Sequence, residues 1–235
     1  MSENASLEVF VPGRLWLAQY FVRLGGARVN ARMTVIKLGS GELLIHSPCP
    51  FGPALTAAVT ALGKVAAILA PGSFHWLHVA SCQRAFPDAV TYICPGVERR
   101  AQGLAFDFVL GDEAPPLWAG ELAQVAVQGT RVMREVAFFH PASKTLVLTD
   151  LIENVTQDTP GTNLALRLLF RAIGMWNRPS PAPEYRIAWG NKTLVREGLR
   201  RILAWDFERV ILSHGDLITV DAKKVVTHAW RKLLG

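Results

Sequence analysis

Short apolar runs alternate with longer runs of helical periodicity along this chain, and this alternation restricts the possible folds more than any other feature. Val65–Leu69 and Val90–Ile93 are too short for buried helices and are predicted to be strands. A predicted helix follows each of them, at Val79–Phe86 and Gly96–Gly103. Strand–helix–strand–helix order is typical of folds in which helices pack on a sheet, so the sequence predicts an α/β class.

Further strands and helices are predicted on both sides of this region. The strands are Leu7–Val11, Leu15–Val22, Arg32–Leu38, Glu42–His46, Leu122–Val127, Glu135–Phe139, Thr145–Thr149 and Arg209–Leu212. The helices are Pro53–Leu62, Leu164–Ile173, Thr193–Trp205 and Ala222–Leu234. The chain has 235 residues, no internal repeat and no low-complexity tract, so its length predicts one large domain or two small ones.

The composition excludes a disordered chain, because 50% of the residues are hydrophobic and only 19% are charged. The net charge of +6 is concentrated near the C-terminus: residues 151–235 contain 13 Lys and Arg against 8 Asp and Glu. Such a basic surface could attract an anionic small molecule or nucleic acid, or could simply be a solvated helix face. No run of consecutive basic residues and no clear nucleic-acid motif is present.

The cysteines and the apolar stretches predict a cytoplasmic protein. The three cysteines form no Cys-x-x-Cys pair, which favours reduced, buried thiols. The start of the chain lacks the basic and apolar regions of a signal peptide. The longest apolar stretch, Ala54–Ala70, is interrupted by Lys64 and is too short to span a bilayer, so we expect no membrane segment.

Three residues that commonly bind metals follow predicted strands. His75 lies just beyond Val65–Leu69, while Asp150 and His214 each end a later strand. In layered α/β folds, functional side chains collect at the carboxyl ends of strands, where the loops converge on a rigid sheet. Two imidazoles and one carboxylate are the ligand set of catalytic zinc sites and of non-haem iron sites.

The order of these elements and three stretches of sequence resemble the metallo-β-lactamase superfamily. The stretches are AAILAPGSFHWLH (66–78), KTLVLTDLI (144–152) and RVILSHGDLI (209–218), preceded by an N-terminal hairpin at Met33–His46. The chain is similar in particular to an uncharacterised branch of that superfamily, over nearly its whole length. The resemblance implies a single domain over residues 1–235, built as a four-layer αββα sandwich of metallo-β-lactamase type.

The chain departs from the superfamily's metal motifs. Placing His75 on the last position of His-x-His-x-Asp-His puts Ala70, Gly72 and Phe74 where two histidines and an aspartate are usual. The superfamily's next histidine falls near Gln128-Gly129, where there is none. The resemblance therefore implies a reduced site, in which the three residues above hold one divalent ion or none. Zinc is the first choice, with iron or manganese as alternatives.

Four further residues are candidates for a supporting role. His78 would share a helix face with His75 and could supplement the site, or could be structural. Glu135 and His140 bracket one strand, and Glu135 could hold a ligand through hydrogen bonds or be a surface acid. His46 stands where the superfamily usually has a strand-ending aspartate that supports the site.

Residues 155–190 have the composition of an inserted lid or a dimer contact. Prolines and glycines surround one helical run there. Trp176, Tyr185 and Trp189 are aromatic residues of the kind enriched at interfaces. A homodimer is therefore one option for this chain.

These observations lead to three hypotheses about function. The first is a hydrolase with one metal ion that acts on an ester, a thioester or a phosphodiester. Its ligand would be a small molecule, and the basic C-terminal third would favour an anionic one. The second is a metal-free, inactive binding module on the same fold. The third is a mononuclear non-haem iron redox enzyme.

Overall fold

The computed structural model describes residues 6–24, 27–130, 132–187 and 190–235. Contacts divide the chain into two compact units. The first unit contains the chain up to Tyr20 and Arg32–Leu110, and the second contains Phe21–Ala31 and Gly111–Gly235. The expectation of one domain over residues 1–235 stays a prediction.

A seven-stranded sheet contains the strands before residue 110, and their spatial order follows chain order. Its strands are β1 (Leu7–Val11), β2 (Leu15–Leu24), β3 (Ala27–Lys37), β4 (Leu43–His46), β5 (Val65–Ala70), β6 (Val90–Ile93) and β7 (Phe108–Val109). β1 with β2 and β3 with β4 pair in antiparallel fashion, whereas β4 to β7 are parallel. The N-terminal hairpin implied by the resemblance is present as the β3–β4 pair.

β5 is a central strand of this sheet and leads into the turn that carries His75. All six of its residues are buried, because β4 and β6 pair with it on both sides and its sequence VAAILA is apolar throughout. The helices of the first unit are α1 (Pro53–Thr60), α2 (Val79–Ala85) and α3 (Val97–Arg100).

The second unit contains a four-stranded sheet in the order β11, β10, β9, β8. Its strands are β8 (Ala123–Val127), β9 (Glu135–His140), β10 (Thr145–Leu148) and β11 (Arg209–Leu212). β8, β9 and β10 form an antiparallel meander, and β11 adds to β10 in parallel. The carboxyl ends of β10 and β11 therefore lie side by side, which places the residues after Leu148 beside those after Leu212.

The described part of the second unit contains four α-helices: α4 (Leu164–Ala172), α5 (Pro183–Ile187), α6 (Lys192–Ala204) and α7 (Ala222–Leu234). α6 begins where the side chain of Asn191 accepts hydrogen bonds from the N–H groups of Thr193 and Leu194, at 3.0 and 3.3 Å. The buried indole of Trp230 in α7 donates to the carbonyl of Leu151 at 2.9 Å. α7 is thereby tied to the loop that follows β10.

Most of the elements predicted from sequence are present, and four coincide in their bounds: Leu7–Val11, Val90–Ile93, Arg209–Leu212 and Ala222–Leu234. The helix predicted over Gly96–Gly103 is shorter: Gly96 has a positive φ and precedes it, and Ala101, with φ of −96° and ψ of 57°, ends it. The short strand β7 and the short helix α5 were not predicted. The sequence signal of both is too short to distinguish from loop.

Residues 155–190 contain α4, α5 and the turns around them. α4 exposes Leu164, Leu168 and Leu169 while it buries its opposite face. Tyr185 is fully buried in the core of the second unit, and Trp189 lies outside the described residues. The role of this segment as a lid or dimer contact stays a prediction.

The helices in the described parts of the chain are all short. The longest, α6 and α7, have 13 residues each, whereas about 20 apolar residues are needed to cross a bilayer. No described helix is therefore long and apolar enough to span a membrane.

Candidate metal centre

The turn that carries Asp150 is held by a buried carboxylate. Glu135, the first residue of β9, is 1% exposed. One of its carboxylate oxygens accepts a hydrogen bond from the N–H of Thr149 at 2.6 Å. The other accepts from the N–H groups of Asp150 and Leu151, at 2.7 and 2.8 Å. Three successive backbone donors thus converge on one side chain, which fixes the backbone conformation of the turn.

Burial dominates the electrostatics of Glu135. Loss of hydration, followed by repulsion from the Asp150 carboxylate, raises the pKa of Glu135 to about 7, although its backbone hydrogen bonds act in the opposite direction. Glu153, three residues after Asp150, also has a raised pKa, caused by burial first and then by Asp150 and Glu184. The loop after β10 therefore concentrates acidic groups in a poorly hydrated region of the second unit.

His214 lies in the turn after β11, and one hydrogen bond determines its tautomer. Its Nδ1 atom is 2.8 Å from the backbone carbonyl oxygen of Asn30. A carbonyl only accepts, so Nδ1 carries the proton and donates, and Nε2 of the neutral ring carries a lone pair. This is the arrangement that a histidine adopts when Nε2 binds a metal and Nδ1 is anchored to the protein.

The turn after His214 requires a glycine. Gly215 has φ of +84°, and an added Cβ would lie 2.2 Å from the carbonyl oxygen of Asn154. The N–H of Asn154 donates to the carbonyl of His214 at 3.3 Å, and the N–H of Asp216 donates to that of Asn154 at 2.8 Å. These backbone bonds join the loop after β10 to the turn after β11.

The structure brings Asp150 and His214 together within the second unit. Nε2 of His214 is 3.5 Å from Oδ1 of Asp150, and the two side chains are only 13% and 7% exposed. A hydrogen-bonded ion pair between these groups would be shorter, at about 2.7–2.9 Å. Two ligands at about 2.0–2.1 Å from a tetrahedral metal lie about 3.3–3.4 Å apart. The observed separation is therefore closer to that of two metal ligands than to that of an ion pair.

His75 lies in the first unit, in the turn between β5 and α2. It is buried, and its Nδ1 atom is 2.7 Å from the hydroxyl oxygen of Ser47. Ser47 follows β4, has a positive φ of 54° and donates its N–H to the carbonyl of Leu69. The ring of His75 is thus anchored through Nδ1, as the ring of His214 is, and Nε2 is its other donor atom.

The two remaining histidines of this region have structural surroundings. His46, the last residue of β4, is buried, and loss of hydration, followed by the nearby His75, lowers its pKa to about 3. His78 is the N-cap residue of α2, and its ring meets that of Tyr20 edge-on at 5.4 Å. Burial also lowers the pKa of His78. His78 precedes the helix, so the helix face it was expected to share with His75 is not formed.

The structure does not bring His140 to Asp150. His140 pairs with Thr145 at the start of β10, whereas Asp150 follows Leu148 at its end. The Nδ1 atom of His140 is 2.7 Å from the hydroxyl of Ser143, which anchors the turn between β9 and β10. His140 therefore lies at the opposite end of the sheet from Asp150, and its supporting role stays a prediction.

Sequence reasoning missed two groups that position candidate ligands. Ser47 adjoins the strand-ending His46, so its place next to a functional strand end is visible in the sequence. The carbonyl of Asn30 leaves no such signal, because any residue at that position would supply the same backbone oxygen to His214.

The fold is similar to that of several solved metallo-β-lactamases. DIM-1 metallo-β-lactamase aligns with a TM-score of 0.67 and 12% identity over 99% of each chain. TMB-1 aligns with a TM-score of 0.67 and 15% identity, over 98% of this chain and 99% of that one. The mono-zinc form of FIM-1 from Pseudomonas aeruginosa aligns with a TM-score of 0.66 and 11% identity, over 97% of this chain and 95% of that one.

These alignments confirm the predicted α/β class and the metallo-β-lactamase fold. The chain belongs to the family described as domain of unknown function (DUF4336), whose model matches residues 12–179. No curated protein matches the chain by sequence. The four-layer order of sheets and helices stays a prediction.

Proposed function

We propose that this protein is a metal-dependent hydrolase with a single divalent ion held by His75, Asp150 and His214. The metallo-β-lactamase fold and the donor types support the proposal, because two imidazole nitrogens and one carboxylate oxygen suit a catalytic ion with an open position. The superfamily's other metal site lacks its residues, since Ala70, Gly72 and Gly129 carry no donor side chain.

The observation that carries the proposal is the arrangement of His214 and Asp150. The Asn30 carbonyl holds the proton of His214 on Nδ1, so Nε2 carries a lone pair, and this atom lies 3.5 Å from the Asp150 carboxylate. A hydrogen-bonded pair would need the opposite tautomer or a charged ring. A metal ion bound by Nε2 of His214 and by the carboxylate of Asp150 requires neither the opposite tautomer nor a charged ring.

Each proposed ligand is anchored by a group of this chain. Glu135 fixes the backbone around Asp150, the carbonyl of Asn30 orients His214, and the hydroxyl of Ser47 orients His75. Such anchoring limits the rotation of each donor. A divalent ion held in this way supplies Lewis-acid activation of water and of the scissile carbonyl or phosphoryl group.

The substrate class that we propose is an ester, a thioester or a phosphodiester, as the scaffold suggests. We propose zinc as the ion, since nitrogen and carboxylate donors suit it and one of the similar structures is a mono-zinc form. We also propose a cytoplasmic location, because the thiols of all three cysteines are buried and none forms a disulfide among the described residues. Fractionation of cells that produce the full chain would test that location.

Metal binding provides the test. Protein stripped with a chelator is titrated with Zn²⁺, Mn²⁺ and, without oxygen, Fe²⁺, and the bound metal is measured by elemental analysis. We expect one equivalent in the native protein and substantially less in Asp150→Asn and His214→Asn. His228→Asn is the matched control, because His228 is exposed on α7, and it should bind as the native protein does.

Two outcomes contradict the proposal. A folded native protein that retains none of the three ions is a metal-free module. Equal metal content in the native protein and in both ligand variants would place the ion elsewhere. Thermal melting of each variant separates loss of metal from loss of fold, and aryl ester, thioester and phosphodiester probes then test hydrolysis by the loaded protein.

A further inference from the structure

The second unit contains a concave cleft whose walls are strongly basic. Its volume is about 440 Å³, within the range of about 300–1,000 Å³ that is usual for small-molecule sites. Half of its twelve lining residues are lysine or arginine, and none of them is acidic or aromatic. The basic residues are Arg178, Arg186, Lys192, Arg196, Arg231 and Lys232.

These cations come from three separate parts of the chain. Arg178 and Arg186 lie in or before α5, Lys192 and Arg196 belong to the first half of α6, and Arg231 and Lys232 belong to the last turn of α7. Cations at the end of α7 favourably complement its dipole. Lys192 in the first turn of α6 does not, and that turn contains no acid to balance it.

Three of the arginines are already held in place by backbone carbonyls. Arg186 donates to the carbonyl of Ile173 at 2.8 Å, and Nε of Arg196 donates to that of Leu233 at 2.6 Å. Arg231 donates to the carbonyl of His228 at 3.0 Å. Each guanidinium has five N–H donors, so these bonds orient the group and leave donors for a ligand.

Acidic side chains balance other bases of this unit but not these six. Lys144 pairs with Asp206 and Glu208 at 3.0 and 2.8 Å, and Arg201 pairs with Asp112 at 2.9 Å. None of the six has an ion-pair partner among residues 6–24, 27–130, 132–187 and 190–235. Because no described carboxylate lies within ion-pair distance of these six cations, a ligand with several negative charges would reduce their mutual repulsion.

We propose that this cleft binds a small molecule with two or more phosphate groups. Guanidinium forks match phosphate oxygens in a bidentate manner, and six cations exceed what a singly charged ligand would neutralise. A single-stranded nucleic acid would instead need stacking aromatic side chains, which the lining does not contain. The cleft includes none of the proposed metal ligands, so this inference does not depend on the proposed hydrolase.

Calorimetric titration of the full chain with inorganic triphosphate, in excess chelator, tests the proposal. Lys192→Gln/Lys232→Gln removes two charges whose side chains make no described hydrogen bond. Lys64→Gln/Lys224→Gln is the matched control, because it removes the same charge from exposed positions outside the cleft. We expect the cleft variant to lose about tenfold or more in affinity, from charge-assisted hydrogen bonds, and the control to lose about twofold or less.

The proposal is overturned if the native protein does not bind triphosphate. It is also overturned if the cleft variant and the control variant lose affinity equally. Tighter binding of single-stranded RNA than of triphosphate, with the same loss in the cleft variant, would replace the small ligand by a nucleic acid. Vesicles with phosphorylated inositol lipid provide the final arm. If the protein binds these vesicles and triphosphate displaces it from them, the phosphate site in the cleft is supported and a lipid headgroup is identified as the source of the phosphates.

Discussion

Replacing His46 with glutamine should make the protein more resistant to unfolding in mild acid. The side chain of His46 is 1% exposed, and burial together with the nearby His75 lowers its pKa from 6.5 to about 3. The unfolded chain therefore takes up a proton as the pH falls below 6.5, whereas the native protein does not until about pH 3. The contribution of the neutral His46 to the free energy of unfolding is therefore fully present above pH 6.5 and is lost as the pH falls from 6.5 towards 3.

The two pKa values determine the size of the effect. Proton linkage between 6.5 in the unfolded chain and about 3 in the native protein lowers the free energy of unfolding by about 2.5 kcal/mol between pH 7 and about pH 4.5. Other groups also titrate over this range, but they are common to the native protein and the variant. The difference between the two proteins isolates the contribution of His46.

Urea unfolding at the two pH values, followed by circular dichroism, measures this difference. His46→Gln should lose about 2.5 kcal/mol less than the native protein, because glutamine does not titrate. His228→Gln, at an exposed position on α7, should lose as much as the native protein does. Equal losses for the native protein and His46→Gln would refute the reasoning, since they would mean that His46 is protonated in the folded state.

Three further substitutions have definite expected results. Glu135→Ala leaves three buried N–H groups without an acceptor and should lower the free energy of unfolding in urea by about 3 kcal/mol or more. A loss below about 1 kcal/mol would show that the Glu135 carboxylate does not hold the turn after β10. Gly215→Ala forces a Cβ to 2.2 Å from the Asn154 carbonyl and should lower Tm by about 6–12 °C in calorimetry, if the clash and the φ of +84° together cost about 3 kcal/mol. Gly120→Ala has the same φ in open space and should lower Tm by less; an equal decrease would mean that only φ matters. Asn191→Ala removes the cap of α6 and should cost about 1 kcal/mol in urea, whereas no change would show that the cap is replaced by water.

The sequence was most informative where buried strands end. β10 and β11 are short and apolar, so their positions, and the polar residues just beyond them, could be read from the pattern alone. His140 illustrates the limit of that reading. It also ends a strand, but β9 is antiparallel to β10, and the direction of a strand is not encoded in its apolar pattern.

The anchoring of the candidate ligands was harder to predict for a different reason. The role of Glu135 depends on three backbone N–H groups that belong to another strand's loop, and any residues there would present the same groups. The sequence could show that a buried acid needs partners, but it could not identify them. Contacts to main-chain atoms are specified by the fold and not by the identity of the residue that makes them.

The parallel pairing of β10 with β11 also has a consequence for how the protein folds. Parallel neighbours cannot be joined by a hairpin, and here residues 149–208, with α4, α5 and α6, must be brought back before the two strands meet. Closing so long a connection costs chain entropy before any contact between the strands is gained, which delays such pairings during folding. Asp150 and His214 therefore become neighbours late, and metal added to the unfolded chain should not accelerate the early steps of folding.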